Sequence, residues 1–218
     1  MQREKLSAVG KAVSMMMHDL RSPIKNIKVL TGMMRDEGIQ SDWLDMVDQC
    51  GEQASAIFED FLDFIRENPV RKVPVKLEKV IEEGIRLAES KNTRLPVTIQ
   101  VGDLGDLTVP GDESKLKRCI MNLVCNAVEA LQDQKVANAH IDISAAVGDG
   151  TMLISIRDNG KGIPADIHKT LFEPFVTRQK NNGTGLGLAI VKQYVIAHGG
   201  EIWVENDNGA VFTIALPL

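Results

Sequence analysis

The chain has 218 residues, with 25 lysines and arginines against 30 aspartates and glutamates, a net charge of −5, 44% hydrophobic residues and only 4% aromatic ones. That length suits one large domain or two small ones, and the apolar fraction is ample for a packed core, which excludes global disorder. The acidic balance and scarcity of aromatics argue against nucleic-acid binding, which needs basic grooves and stacking platforms. No window approaches the roughly 18 uninterrupted apolar residues of a membrane span, so no membrane contact is expected from this segment itself. The opening MQREKLSAVGK, polar and mixed in charge, is unlike a signal peptide. Three cysteines, Cys50, Cys119 and Cys125, are odd in number and lack metal-ligand spacing, so buried reduced thiols are expected. The histidines His18, His140, His168 and His198 are too scattered to suggest a metal cluster.

From Leu6 onward, apolar residues recur at Val9, Val13, Met16, Leu20, Ile24, Ile27, Leu30 and Met34. Steps of three and four over this distance spell a long amphipathic helix. The polar run Arg35-Asp36-Glu37-Gly38 ends it, with Gly38 as the C-terminal cap. Ser41 then caps a second helix carrying Trp43, Val47, Cys50, Ala54, Ile57, Phe61 and Phe64. It must stop before Asn68-Pro69, because the residue preceding a proline is pushed out of the helical region. Two antiparallel helices have too little surface to enclose a core. Stripes this narrow, close to a heptad seam, suggest a homodimer in which two hairpins build a four-helix bundle. The alternative is that the pair packs on the rest of the chain.

At Pro69 the texture changes. Residues 71–75 read as a short strand, 76–90 as a helix with Val80, Ile81, Ile85 and Leu87 inward, and 97–101 (VTIQV) as an alternating strand. A strong helix from Glu113 to Leu131 carries Leu116, Ile120, Leu123, Val124 and Val128. Two alternating strands follow, HIDISAAV and TMLISIR, and then a glycine-rich region holding a short helix after Pro164 and a longer one near 186–198. EIWVE and AVFTIALPL form a hairpin about Asp207-Asn208-Gly209. The expected fold is α+β, a long helical hairpin over 1–68 followed over 69–218 by an α/β sandwich with a largely antiparallel sheet.

Four stretches carry candidate chemistry. In His18-Asp19-Leu20-Arg21-Ser22-Pro23, His18 stands two residues from both Met16 and Leu20, about 200° round the helix from the stripe. Pro23 removes a helical hydrogen bond and bends the helix a turn later. An exposed imidazole beside a carboxylate is an available nucleophile, although an exposed histidine taken alone is usually just solvated. Asn122 and Asn126 share one face of a helix whose apolar residues occupy another. A carboxamide oxygen is a hard donor suited to Mg²⁺, but polar helix faces are also common.

The third stretch, Asp158-Asn159-Gly160-Lys161-Gly162-Ile163, follows a strand. Its glycines permit a sharp turn and close approach to a flat ligand, and Asp158 can accept a hydrogen bond from an exocyclic amine; an ordinary turn is the plainer reading. The fourth, Gly183-Thr184-Gly185-Leu186-Gly187-Leu188, enters a helix, where backbone N–H groups make a phosphate cradle. No strand leads into it and no Lys-Ser or Lys-Thr ends it, so it is neither a dinucleotide fingerprint nor a Walker loop. Before it, Phe172-Glu173-Pro174-Phe175-Val176-Thr177-Arg178-Gln179-Lys180-Asn181-Asn182 suits either a mobile lid whose cations reach phosphates or an ordinary surface loop.

In this order the stretches resemble the sensor histidine kinases across essentially the whole chain. HDLRSP is similar to the family's H-box, NLVCNAVEA to its N-box, DNGKGI to its first glycine box, FEPF to its F-box and GTGLGL to its second glycine box. The resemblance implies a dimerisation and histidine-phosphotransfer domain at 1–68 and a Bergerat-type ATP-binding domain at 69–218. It implies that His18 is the phospho-acceptor, Asp19 its general base or orienting group, Asn126 the Mg²⁺ ligand and Asp158 the adenine anchor. Around the nucleotide it places Asn122, Gly160, Gly162, Ile163, Phe172, Phe175, Thr177, Arg178, Lys180 and the six residues Gly183 to Leu188. The activity implied is autophosphorylation from MgATP followed by transfer to an aspartate of a response-regulator receiver domain, in the cytoplasm, alone or as part of a larger sensor.

The sequence also departs from the family pattern. Asp19 replaces the usual Glu, which keeps the charge and shortens the reach. Ser22 stands where many members use Thr or Asn to position a water, leaving phosphatase activity open. Asn122 stands where superfamily ATPases have a water-activating Glu, and an amide cannot be that base, so little ATP hydrolysis is expected. Glu129 and Ala130, where many relatives have Lys and Tyr, look more like the nitrogen-regulatory branch, as does the short lid. Competing readings are a degenerate kinase acting as a dimeric binding scaffold and a protein serine kinase or anti-sigma factor with the same ATP fold. Acid-labile phosphate on the protein separates these.

Overall fold

The structure, a computed structural model, describes residue 24 and residues 26–65, 69–91, 97–176 and 185–218. His18, Asp19, Ser22, Thr177, Arg178, Lys180, Gly183 and Thr184 lie outside the described residues. Two compact units result: the helices before Pro69 belong to one, and Pro69–Val176 with Gly187–Leu218 form the other.

In the first unit, α1 (26–36) and α2 (Asp42–Ile65) are joined by a tight polar turn. Gly38 takes φ +84°, the left-handed conformation of a helix C-cap. The Ser41 hydroxyl accepts from Trp43 N at 3.2 Å and satisfies an otherwise orphaned donor of α2. Lys28 pairs with Glu52 at 2.7 Å and Arg35 with Asp45 at 2.6 Å, while Thr31 and Arg35 both bond Asp48. Partners that descend on one helix as they climb on the other mean an antiparallel pair. Thr31, Leu44, Gly51 and Leu62 are buried. The periodic stripe is not: Ile27, Leu30, Met34, Trp43, Val47 and Ile57 are exposed, Trp43 by 74%. Cys50, expected to be buried, is exposed as well, because it sits on that uncovered stripe; Cys119 is buried and Cys125 half-buried.

The second unit is a two-layer sandwich. Its sheet has the order β2 (Thr98–Val101), β4 (His140–Gly148), β5 (Thr151–Asp158), β7 (Ala210–Pro217), β6 (Glu201–Asn206). Only β2 and β4 run parallel; the other pairs are antiparallel. Asp149 (φ +50°) and Gly150 (φ +71°) close the β4–β5 hairpin with the mirror-image turn that matches strand twist. Alternation buries Ile141 and Ile143 of β4, Met152, Ile154 and Ile156 of β5, and Phe212, Ile214 and Leu216 of β7. Helices cover that face: α4 (Glu113–Asp133) packs on β4, β5 and α5 (Gly187–Ala197), α5 on β6 and β7, and α3 (Leu77–Lys91) on α4. Asp112 caps α4, accepting from Lys115 N at 3.2 Å. At Gly84 the helices α3 and α4 approach so closely that a Cβ would lie 2.6 Å from Ile120 Cβ.

Several local expectations shift. The strand expected over 71–75 is β1, Val73–Lys76, and it pairs with β3, Thr108–Gly111, which the sequence hides behind a proline and a glycine. Leu87 is 45% exposed rather than inward, because the buried row of α3 runs through Leu77, Val80, Ile81, Gly84 and Ala88, one residue out of phase with it. The short helix expected after Pro164 is a chain of three-residue turns, with Ile167 N bonded to Pro164 O, Thr170 N to Ile167 O and Glu173 N to Thr170 O at 2.8–3.2 Å.

Candidate active site

Inward-facing residues of β5 fall on every second position, and Asp158 is the last of that row, in phase with Met152, Ile154 and Ile156. A carboxylate thus sits where the pattern demands an apolar side chain, and it is 4% exposed. Burying a charge is costly unless it is hydrogen-bonded. Here Oδ1 accepts from Gly160 N at 2.8 Å and from Ala210 N at 3.2 Å. No bond within the protein is seen for Oδ2 among the described residues, so that oxygen is left to accept one from elsewhere. Gly209, at φ +146°, lets β7 begin this close: a Cβ there would fall 1.7 Å from the Asp158 carbonyl oxygen.

Beyond Asp158 the loop is tightly tied. Asn159 N donates to His140 O at 3.3 Å, and its side chain accepts from His140 N and donates to Asn138 O, both at 3.0 Å. Lys161 N donates to Gln134 Oε1 at 2.7 Å, and Ile163 N to Asn206 Oδ1 at 2.8 Å. Gly160 and Gly162 are half-buried within this loop. Gln134 and Asn206 are absent from the sequence reading, since nothing in the local pattern links positions 27 and 43 residues apart.

Asn122 and Asn126 lie one turn apart on α4. Asn122 is buried, and its amide donates to Gly187 O at 3.3 Å, tying α4 to the start of α5. Asn126 is half-buried, and its amide nitrogen is buried without a hydrogen-bond partner. Such a carboxamide is not committed to the protein's own network, and its oxygen is the hard donor type that a hydrated divalent cation takes. The α4 axis therefore runs from the start of α5 at Asn122 to the Asp158 loop at Gln134, about 18 Å at 1.5 Å per residue, with Asn126 between. That distance is comparable to an extended nucleoside triphosphate.

The remaining described candidates are placed as follows. Gly187 and Leu188 open α5, Gly185 takes φ +67° just before it, and Leu186 is buried. Phe172 packs edge-to-face on Phe212 of β7, ring centroids 6.3 Å apart, with the Lys192 ammonium 5.9 Å from its centroid. Phe175 is 61% exposed and at φ +65°, a conformation strained for a bulky side chain, so the two phenylalanines of one motif divide into an anchor and an outward residue. His198 is a buried structural histidine: Nδ1 donates to Tyr194 O at 2.7 Å and Nε2 accepts from Asp112 N at 2.9 Å. Burial pushes its pKa down, and burial pushes the Cys119 thiol up to about 12. Among the described residues no cluster of three or more His, Cys, Asp or Glu side chains can hold a metal, and no helix is long and apolar enough to cross a membrane.

A mixed sheet covered by helices on one face, a glycine loop at the end of a central strand and an uncommitted carboxamide, Asn126, on the adjacent helix define a nucleotide-binding sandwich, here preceded by a helical hairpin. The family model for the histidine kinase-, DNA gyrase B- and HSP90-like ATPase matches residues 111–218, and that for the His Kinase A (phospho-acceptor) domain matches residues 8–69. The signal transduction histidine-protein kinase AtoS of Escherichia coli (strain K12) is 30% identical over all of this chain, which covers 36% of AtoS. The catalytic domain of the histidine kinase ThkA is 33% identical, with a TM-score of 0.57 over 67% of this chain and 95% of that one. A structure of ThkA in complex with the response regulator protein TrrA is 27% identical, with a TM-score of 0.67 over 99% of this chain and 63% of that one. The chain belongs to the sensor histidine kinase family. It spans about a third to a half of the length of the curated relatives it matches.

Proposed function

We propose that this chain is the kinase portion of a two-component sensor, an ATP-dependent autokinase that phosphorylates His18 and passes the phosphoryl group to an aspartate of a response-regulator receiver domain. Residues 1–68 serve as the dimerisation and phosphotransfer domain and 69–218 as the ATP-binding domain. The observation that carries the ATP reading is Asp158: a buried carboxylate with one oxygen held by two backbone N–H groups and the other left to accept from an exocyclic amine. Adenine carries such an amine. Asn126 offers its carboxamide oxygen to Mg²⁺, which, when bound, neutralises charge on the triphosphate. Backbone N–H groups of the Gly183–Leu188 stretch, with Arg178 and Lys180, meet the phosphate oxygens. Ile163, Phe172, Phe175 and Thr177 line the nucleotide.

In the transfer, a ring nitrogen of His18 forms a bond to the γ-phosphorus as the bond to the bridging oxygen breaks and ADP leaves. Asp19 holds the proton on the other ring nitrogen. Asn122 lacks the basicity to activate water, so the phosphoryl group goes to His18 rather than to hydrolysis. Glu129, Ala130 and the short lid favour the nitrogen-regulatory branch of the family. The exposed stripe Ile27, Leu30, Trp43, Val47 and Ile57 supports a homodimer in which two hairpins bury it. Labelling with γ-³²P-ATP tests the reading: wild-type label is lost in acid and kept in alkali, and His18→Ala takes none while still binding ADP. Label that persists in His18→Ala, or that survives acid, refutes it.

A further inference from the structure

We propose that Gln134 and Asn206 are positioning residues that hold the loop 158–163 in the shape that aims Asp158 Oδ2 at the base; this rests on Asp158 as the adenine anchor. Asn206, the last residue of β6, engages both backbone groups of Ile163, accepting from its N–H at 2.8 Å and donating to its carbonyl at 2.9 Å. That is the two-bond pairing a neighbouring strand would supply. Gln134, just past α4, accepts from Lys161 N at 2.7 Å.

The motif glycines fit these amides. A Cβ on Gly160 would lie 3.0 Å from Gln134 Oε1 and 2.9 Å from Asp158 Oδ1. A Cβ on Gly162, at φ +74°, would lie 2.5 Å from Asn206 Oδ1. Both glycines therefore make room for the braces as well as for the turn. The N–H groups of residues 159, 160, 161 and 163 are all taken by protein acceptors. With these four donors consumed, no run of successive free N–H groups is left to make an anion nest, so the loop is a frame for the carboxylate and not a phosphate site. Gly160 N, which orients Asp158, is bracketed by the carboxylate on one side and the Gln134-held Lys161 on the other. Releasing the braces frees the carboxylate to turn. Neither amide belongs to the core, since Gln134 is half-buried and Asn206 exposed, so truncating them opens no cavity.

The test is calorimetric binding of ADP and inosine diphosphate to the full chain; inosine carries a carbonyl where adenine carries its amine, and neither diphosphate can be transferred. The double variant Gln134→Ala/Asn206→Ala should weaken ADP about tenfold and inosine diphosphate far less, shrinking the preference for adenine. Gln134→Glu, which keeps an acceptor for Lys161 N, should restore most of that preference when it replaces alanine in the double variant. A double variant that keeps the parent's ratio, whatever its melting temperature, overturns the positioning role. Asp158→Asn separates the two claims: if it too keeps the ratio, the adenine anchor itself is wrong, whereas if it alone loses the ratio only the braces are.

Discussion

Asp158→Asn offers a sharp test of the nucleotide site, because the fold dictates which way the new amide must face. Asparagine has one acceptor and one donor end. The position of Oδ1 is claimed by two N–H donors, Gly160 at 2.8 Å and Ala210 at 3.2 Å, so the amide oxygen must take it. The NH₂ then occupies the place of Oδ2 and confronts the exocyclic amine of adenine, donor against donor. Both backbone bonds survive, so the variant should fold and melt close to the parent. What is lost is one charge-assisted hydrogen bond in a pocket that leaves Asp158 only 4% exposed, worth about 1.5–3 kcal/mol, or about ten- to a hundredfold in affinity. ATP and ADP should weaken equally, since the perturbation lies at the base and not at the phosphates. Inosine nucleotides and GTP, with an acceptor at the six-position, should weaken far less. Titration calorimetry with each nucleotide measures this directly. Unchanged ATP affinity, or equal losses for adenine and inosine nucleotides, would refute the reasoning and make the Asp158 loop a purely structural turn.

Three further outcomes follow from other parts of the molecule. If Asn126 is the Mg²⁺ ligand proposed, Asn126→Asp adds a negative charge near the phosphates and should make ADP binding strongly Mg²⁺-dependent, seen as a collapse of affinity in chelator with near-normal affinity in excess Mg²⁺; equal affinities in the two conditions would remove Asn126 from the metal site. The full chain should sediment as a dimer at micromolar concentrations, and Trp43→Glu with Ile57→Glu should weaken that dimer more than tenfold, since a fully buried large apolar side chain contributes about 1.5–3 kcal/mol; a monomeric parent would mean the stripe is covered otherwise. His198 is held neutral by donating from Nδ1 and accepting at Nε2, with Asp112, Lys72 and Lys115 around it, and burial depresses its pKa below the ordinary 6.5. The unfolded chain therefore binds a proton that the folded one does not, so stability should fall as pH drops below 6.5, by at most about 1.4 kcal/mol per pH unit, and His198→Gln should flatten that slope in urea melts run between about pH 7.5 and 5.5.

The elements whose pattern is local were legible in the sequence by itself. Steps of three and four marked α2 and α4, alternation marked β2, β4 and β5, and Asp207-Asn208-Gly209 marked the hairpin that joins β6 to β7, because helical and extended backbones impose their periods on near neighbours. The same alternation places Asp158 on the core side of β5, which makes the carboxylate's burial predictable from its phase alone. What the local pattern could not carry was decided by contacts between distant residues. β3 exists because Val109 meets Val75 across a ribbon, not because TVPG favours extension. Leu87 faces outward because Gly84 lets α3 settle against Ile120 on a face turned away from it. The braces Gln134 and Asn206 reach the glycine loop across 27 and 43 residues, and His198 reaches Asp112 across 86. Side-chain amides and a buried imidazole carry no periodicity. Their partners are set only when helix and sheet layers close over one another and each buried donor must find an acceptor.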